Sequence, residues 1–185
     1  MIPSKEQAIA LVEKYNKDNF HRSHAVIVAG VMEWFAKKHD PDNVDFWYIV
    51  GLLHDIDFEQ YPDEHCVRGE TILRSHDIDI RVIKSAMSHG WQMTATPYQP
   101  ELEMEKILYT IDELTGLIGA TAIMRPSGSV DDLEVKSLKK KYKQPSFAAG
   151  VSRECIQAGV EMLKWDLDYA MEQTILAMRT IDIVP

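Results

Sequence analysis

Cysteine is scarce in this chain of 185 residues: there are two, Cys66 and Cys155, and they form no CxxC motif. This content does not support a disulfide scaffold or a zinc ribbon, so we expect two buried, reduced thiols. The chain also lacks any apolar run of about 18 residues, the length that a membrane-spanning helix requires. Its first residues lack the charged-then-apolar order of a signal peptide. We therefore expect a cytoplasmic protein without membrane association.

Positive charge is also in short supply. Lysine and arginine number 20 against 29 aspartate and glutamate residues, and the formal net charge is −9. Affinity for a polyanion grows with the number of phosphates that basic side chains neutralise. Broad nucleic-acid binding is therefore not expected, and the composition favours a small-molecule ligand.

The pattern of apolar residues predicts an all-α fold. They make up 45% of the chain, which is enough for one domain with a sizeable core. They recur with a helical period, and no stretch shows convincing strand alternation. The predicted helices begin near residues 4, 23, 42, 62, 79, 101 and 152, and the last runs without a break to about 178. We expect one helical-bundle domain over residues 1–185.

An uninterrupted apolar segment, residues 46–53, ends in the pair His54–Asp55. A carboxylate at the end of a buried helix needs a partner, because burying an unpaired charge is costly. A metal ion accepts both imidazole and carboxylate ligands. Both side chains can turn towards one ion at a helix end. We therefore expect a metal site at this pair.

Other polar residues lie on or near apolar helix faces. His24 is on a strongly apolar helix, where a lone histidine is more often a hydrogen-bonded core residue than a ligand. Asp112 lies beside the apolar stripe of a long predicted helix, where a cation, a neighbouring helix end or a lysine would satisfy it. His21 precedes His24 by one helical turn. It is interpreted as a spare ligand, as a hydrogen-bond donor to a ligand, or as an exposed residue at the start of the helix. His39 and His76 end predicted helices, which favours a structural role.

In their order along the chain, these residues resemble the HD-domain family of metal-dependent phosphohydrolases. That family has a histidine on one helix, a His-Asp pair that closes a later helix, and an aspartate on a long following helix. The corresponding residues here are His24, the pair His54–Asp55, and Asp112. Binuclear members have two further histidines, and the segments around His65 and His89 resemble those. The resemblance implies an HD-type bundle with a metal-binding core at about 20–120 and a C-terminal helical extension at about 130–180.

The resemblance also implies a set of metal ligands. They are His24, His54, Asp55, His65, His89 and Asp112. Asp55 would bridge two ions. Because all six are nitrogen or oxygen donors, they favour manganese, iron, cobalt or nickel, with magnesium as a further candidate, over a closed zinc site. One or two ions are expected.

The implied function is a metal-dependent hydrolase of a small phosphate ester, with a nucleotide as one candidate, that uses metal-activated water. Two alternatives stay open. The same fold and a similar ligand pattern support di-iron oxygenases, and an HD module can also bind a ligand without turnover.

The chain departs from the family directly after the His-Asp pair. Many members continue as Asp-Ile-Gly-Lys, whereas residues 55–59 read Asp-Ile-Asp-Phe-Glu. The missing lysine weakens an assignment as a cyclic-dinucleotide phosphodiesterase. His54, Asp55, Asp57 and Glu59 are the catalytic candidates; for the last two, the alternative is a solvent-facing or capping role.

The densest positive charge lies in residues 136–143, downstream of Arg125. On a helix, four of these lysines would share one face at positions i, i+3, i+4 and i+7. Hydrolysis of a phosphate ester requires neutralisation of its oxygens. The candidate substrate-binding residues are Arg125, Lys136, Lys139 and Lys140. The alternative is a solvated face that aids solubility.

Overall fold

The fold was analysed in a computed structural model, which describes residues 1–181 and over that range contains nine α-helices and no strand. The helices are α1 (Lys5–Tyr15), α2 (Asn19–His39), α3 (Val44–Leu53), α4 (Val67–Ser75), α5 (Ile80–Met87), α6 (Glu103–Ile123), α7 (Val135–Tyr142), α8 (Arg153–Leu163) and α9 (Leu167–Met178). The prediction of an all-α fold is confirmed. Within the described range, no helix combines the length and apolar character that crossing a bilayer demands.

Side-chain caps determine where the first helices begin. At α1, the Ser4 hydroxyl accepts from the Gln7 amide, and the Gln7 side chain accepts from the Ser4 amide at 2.8 Å. Helix α2 begins at Asn19, about four residues before the predicted start. The reason is that Asp18 caps it by accepting from the Phe20 amide at 2.7 Å.

The predicted helix at about 62–73 is wrong in its first part. Pro62–Glu64 forms a 3₁₀ turn, and α4 begins only at Val67. Between them Cys66 has a φ of 67°, in the left-handed region that an α-helix cannot contain. The chain therefore turns at this point.

The long helix predicted over residues 152–178 is two helices. Lys164 ends α8 with a φ of 57°, and α9 begins after Asp166. Between them, Trp165 stacks on Phe35 of α2 with ring centroids 5.5 Å apart. Trp165, directly after the break, thus packs its aromatic ring against α2.

The two longest helices, α2 and α6, organise the core. Helix α2 packs against α3, α6 and α9, while α6 also contacts α7 and α8. At the α2–α3 contact, a Cβ on Gly51 would lie 3.0 Å from the Ala29 Cα, so only glycine allows this approach without displacement. The end of α3, which carries His54, is thereby held beside α2, which carries His24.

Candidate metal centre

Four predicted ligands meet between α2, the end of α3 and the middle of α6. His24 Nε2 lies 2.9 Å from Asp112 Oδ1, and His54 Nε2 lies 3.2 Å from the same oxygen. The two Nε2 atoms are 3.3 Å apart. Asp55 Oδ2 is 3.4 Å from His54 Nε2 and 3.6 Å from His24 Nε2. We call His24, His54, Asp112 and the Oδ2 atom of Asp55 the first donor cluster.

The other two predicted ligands meet beside it. His65 lies in the turn before α4, and His89 lies in the 3₁₀ turn after α5. Their Nε2 atoms are 2.9 Å apart, and each is 3.3 Å from Asp55 Oδ1. We call His65, His89 and the Oδ1 atom of Asp55 the second donor cluster. Asp55 thus presents one carboxylate oxygen to each cluster.

The imidazole rings are held with their Nε2 atoms towards these clusters. His54 Nδ1 donates to the Gly51 carbonyl at 2.7 Å, and His89 Nδ1 donates to the Ala86 carbonyl at 2.6 Å. His65 Nδ1 donates to the Asp57 carboxylate at 2.8 Å. In the neutral imidazole, Nε2 then carries a lone pair. Lone pairs and carboxylate oxygens at such short separations require cations among them.

The spacing of the donor atoms suits metal ions. Ligands about 2.1 Å from one ion lie roughly 3.0 Å apart in an octahedral arrangement and roughly 3.4 Å apart in a tetrahedral one. Most separations within both clusters fall between 2.9 and 3.4 Å. The residues present therefore fit two divalent ions that share Asp55.

Without a metal, protons must satisfy the same charges. Burial lowers the pKa of His54, but the charges of Asp55 and Asp112 outweigh it and raise that pKa to about 10. Burial raises the pKa of Asp55 and of Asp112, but His54 outweighs it and lowers both below their ordinary value. Without a metal, the first cluster thus favours a bound proton on His54 beside two ionised carboxylates.

Asp57 is a positioning residue for His65. Its carboxylate is fully buried, and it accepts from His65 Nδ1 at 2.8 Å and from the Gly69 amide at 2.6 Å. The alternative of a solvent-facing side chain is therefore wrong, whereas the bond to the Gly69 amide, in the first turn of α4, corresponds to the capping alternative. A carboxylate behind a metal-binding histidine fixes the tautomer and the ring orientation.

Glu59 supports the connection between α1 and α2. Its carboxylate accepts from the backbone amides of Lys17, at 2.8 and 3.0 Å, and of Asp18, at 3.0 Å. Burial raises its pKa, but these amides outweigh it and lower the pKa below its ordinary value. This contact corresponds to the capping alternative, and the structure does not bring Glu59 into either donor cluster.

A cavity of about 370 Å³ opens onto both clusters, since His24, Asp55, His65, His89 and Asp112 all line it. Other parts of its wall are apolar and partly exposed. They include Phe20, Phe58, Met93 and Val151. No lysine or arginine of residues 1–181 lines it. A molecule that enters would meet the predicted metal ligands and apolar side chains.

The predicted substrate-binding residues lie elsewhere. Lys136, Lys139 and Lys140 line a separate cavity of about 460 Å³, and Lys139 Nζ pairs with Asp168 at 2.7 Å. Arg125 pairs with Asp132 at 2.7 Å. The structure does not bring these four basic residues together with the metal ligands. The physical reason is the packing of α7, which buries Leu138 in the core and leaves its lysine face outside the metal cavity.

Cys66 is a site residue that the sequence interpretation missed. Its Sγ lies 3.9 Å from His89 Nε2, at the second donor cluster. Burial raises the pKa of this thiol, but His89 and His65 outweigh it and lower it to about 6. Its position directly after a predicted ligand was the available signal.

Glu113 and His21 also line the cavity. Glu113 accepts from the Ser152 amide at 2.8 Å, and burial together with the charge of Asp112 raises its pKa to about 7. The His21 ring lies beside Phe58, with centroids 5.9 Å apart. Adjacency to Asp112 and helical spacing from His24 were the signals for these two residues.

The fold and the donor clusters define a class: all-helical proteins with a histidine- and aspartate-rich candidate metal centre. The sequence model of the HD domain family matches residues 22–117, slightly more than half of the chain, and the chain belongs to this family. Its members are generally metal-dependent phosphohydrolases. The predicted family is confirmed, and all six predicted ligands lie within the matched range. Comparisons with curated proteins and with solved structures found no match.

Proposed function

We propose that this protein is a metal-dependent hydrolase of a small phosphate ester. The observation that carries the proposal is the Asp55 carboxylate, which presents Oδ2 to the first donor cluster and Oδ1 to the second, beside a cavity. Two divalent ions bound there would supply the activation of water and the neutralisation of charge that phosphoryl transfer requires.

The protein's own contribution is to hold the ligands in place before substrate arrives. Backbone carbonyls fix the rings of His54 and His89, and Asp57 fixes His65. His24 is placed on α2, one of the two longest helices, and Asp112 is placed on the other. Sites built on rigid elements keep their geometry better than sites built on mobile loops.

The side chains that line the cavity favour a substrate with few negative charges. Each further phosphate would need neutralisation, and no lysine or arginine of residues 1–181 lines the cavity. Phe20 is 73% exposed and Phe58 is 39% exposed, so both rings are accessible to an apolar or aromatic group. A nucleoside monophosphate has both properties. We expect it to be preferred over the triphosphate of the same nucleoside.

The test is phosphate release from a panel of phosphate esters, with manganese, cobalt, nickel, iron or magnesium added to chelator-treated protein. The single variants His54→Ala and Asp55→Ala should abolish turnover. His76→Ala is the matched control, because His76 bonds to Tyr15 at 3.0 Å, away from both clusters. Metal-independent turnover that survives both site substitutions would contradict the proposal.

The same preparation separates the two alternatives. Elemental analysis of protein purified without chelators should find one or two divalent ions per chain. Two irons, together with oxygen uptake, would indicate the oxygenase. Tight ligand binding without turnover after metal reconstitution would indicate the non-catalytic module.

A further inference from the structure

The two donor clusters differ in negative charge if only the predicted ligands are considered. The first has two imidazoles, one oxygen of Asp55 and a carboxylate of its own, Asp112. The second has two imidazoles and the other oxygen of Asp55. Nearby Asp57 is bonded to the outer nitrogen of His65 and to a backbone amide. The second cluster therefore lacks a counterpart to Asp112.

Cys66 supplies a donor atom at this point. Its Sγ is 3.9 Å from His89 Nε2, and the side chain is 1% exposed. Donor atoms of His65, Cys66 and His89 all lie within 4.8 Å of one another. A sulfur and a nitrogen bound to one ion at about 2.3 and 2.1 Å cannot be more than about 4.4 Å apart, so the observed separation is compatible with one shared ion.

The backbone directs the thiol to this position. The left-handed turn at Cys66 follows His65 directly, so consecutive side chains approach the same cluster. On the opposite side, Gly90 follows His89, and a Cβ at that position would collide with the Cys66 sulfur. Glycine at position 90 thus leaves the space that the sulfur occupies beside His89.

We infer that Cys66 is a protein ligand of the second ion and takes there the role that Asp112 has for the first. This inference rests on the proposed binding of an ion by the second donor cluster. The thiol proton would pass to solvent as the ion binds. Each ion would then have two imidazoles, one oxygen of the shared Asp55 carboxylate and one anionic side chain of its own. Because thiolates prefer zinc, cobalt and iron over magnesium, the second cluster should select a softer ion than the first.

The experiment is a titration of reduced, metal-free protein with Co²⁺, followed by absorbance under anaerobic conditions. A thiolate ligand produces a sulfur-to-cobalt charge-transfer band in the near ultraviolet. The wild type should bind two ions and show this band with one of them. Cys66→Ser should lose the band and bind one ion at least about tenfold more weakly.

Cys155→Ser is the matched control. Cys155 is also buried, but its sulfur donates to the Tyr109 carbonyl at 3.3 Å, and it belongs to neither cluster. This variant should keep the band and both affinities. Two ions without a sulfur band in the wild type, or an unchanged spectrum and affinity in Cys66→Ser, would overturn the inference.

A second variant covers the case in which serine impairs folding. Cys66→Asp keeps a negative charge, because it replaces the thiolate with a short carboxylate that can also bind a divalent ion. It should bind two Co²⁺ ions without the sulfur band, and persistence of that band would also refute thiolate ligation. Failure here is distinguishable from failure of the proposed function. A protein that shows the band but hydrolyses no phosphate ester would refute the hydrolase alone.

Discussion

Replacing Asp57 by asparagine should weaken one metal site and leave the other intact. Asp57 touches the second donor cluster only through His65, whose Nδ1 donates to Oδ1 at 2.8 Å. Its other oxygen accepts from the Gly69 amide at 2.6 Å, and the side chain is fully buried. Asparagine has nearly the same shape but only one acceptor oxygen. Its amide nitrogen must therefore face one of the two donors.

The magnitude follows from this mismatch. A hydrogen bond to a charged group contributes about 1.5–3 kcal/mol, and a buried donor left without a partner adds a cost of similar size. We expect Asp57→Asn to lower the free energy of unfolding of the metal-free protein by about 2–4 kcal/mol. Loss of the carboxylate behind His65 should weaken ion binding at the second cluster about 10- to 100-fold.

The assays are urea unfolding and calorimetric titration with Co²⁺, which resolves a tight and a weakened site. Asp63→Asn is the control, because it removes the same charge from an exposed position in the same connection between α3 and α4. It should change the free energy of unfolding by less than about 0.5 kcal/mol. If Asp57→Asn matched that control in both measurements, the assignment of Asp57 as the residue that positions His65 would be refuted.

Three further predictions concern protons, packing and charge. Ion binding should release protons, because the pKa of His54 is raised to about 10 and an ion must displace the proton on its Nε2. Calorimetry in buffers of different ionisation enthalpy measures the number of protons released. Gly51→Ala should lower the free energy of unfolding by about 1–3 kcal/mol, because the added methyl would lie 3.0 Å from the α2 backbone. A double variant, Lys139→Ala with Lys140→Ala, should keep kcat/KM within about twofold, since neither lysine lines the metal cavity.

Each of these has a contrary outcome. The folded pKa of His54 lies above its ordinary 6.5, so its proton stabilises the metal-free protein fully below that pH and ceases to do so as pH rises through about 10. Apparent ion affinity should rise over the same window, and a pH-independent affinity would contradict the proton displacement. Gly119→Ala, on α6 with open space around the new methyl, is the packing control and should cause no comparable loss. A large rise in KM in the lysine variant would restore the phosphate-binding hypothesis.

The helical pattern predicted most of the fold, because helical period and capping depend on residues a few positions apart. Ser4 with Gln7 predicted the start of α1, and Asp40–Pro41 predicted the end of α2. The break at Lys164 was missed; it accompanies the contact of Trp165 with Phe35, a residue far away in the sequence. Patterns within one segment do not contain such contacts.

For the candidate site too, the sequence predicted some features and could not decide others. The order of His24, His54–Asp55 and Asp112 along the chain was sufficient to indicate the family and a metal centre. Whether Asp57 faced solvent could not be decided, since that depends on where Gly69 and His65 lie around it.

The sequence by itself determined the helical class, the order of the histidines and aspartates that are predicted as ligands, and membership of the HD domain family. Tertiary packing alone decided that Asp55 presents its two oxygens to two clusters, that Cys66 reaches the second, and that the lysines of α7 lie outside the metal cavity. The physical reason is that ligand type and helical period are properties of the local chain. Distances of a few ångströms between atoms on different helices arise only when the helices pack.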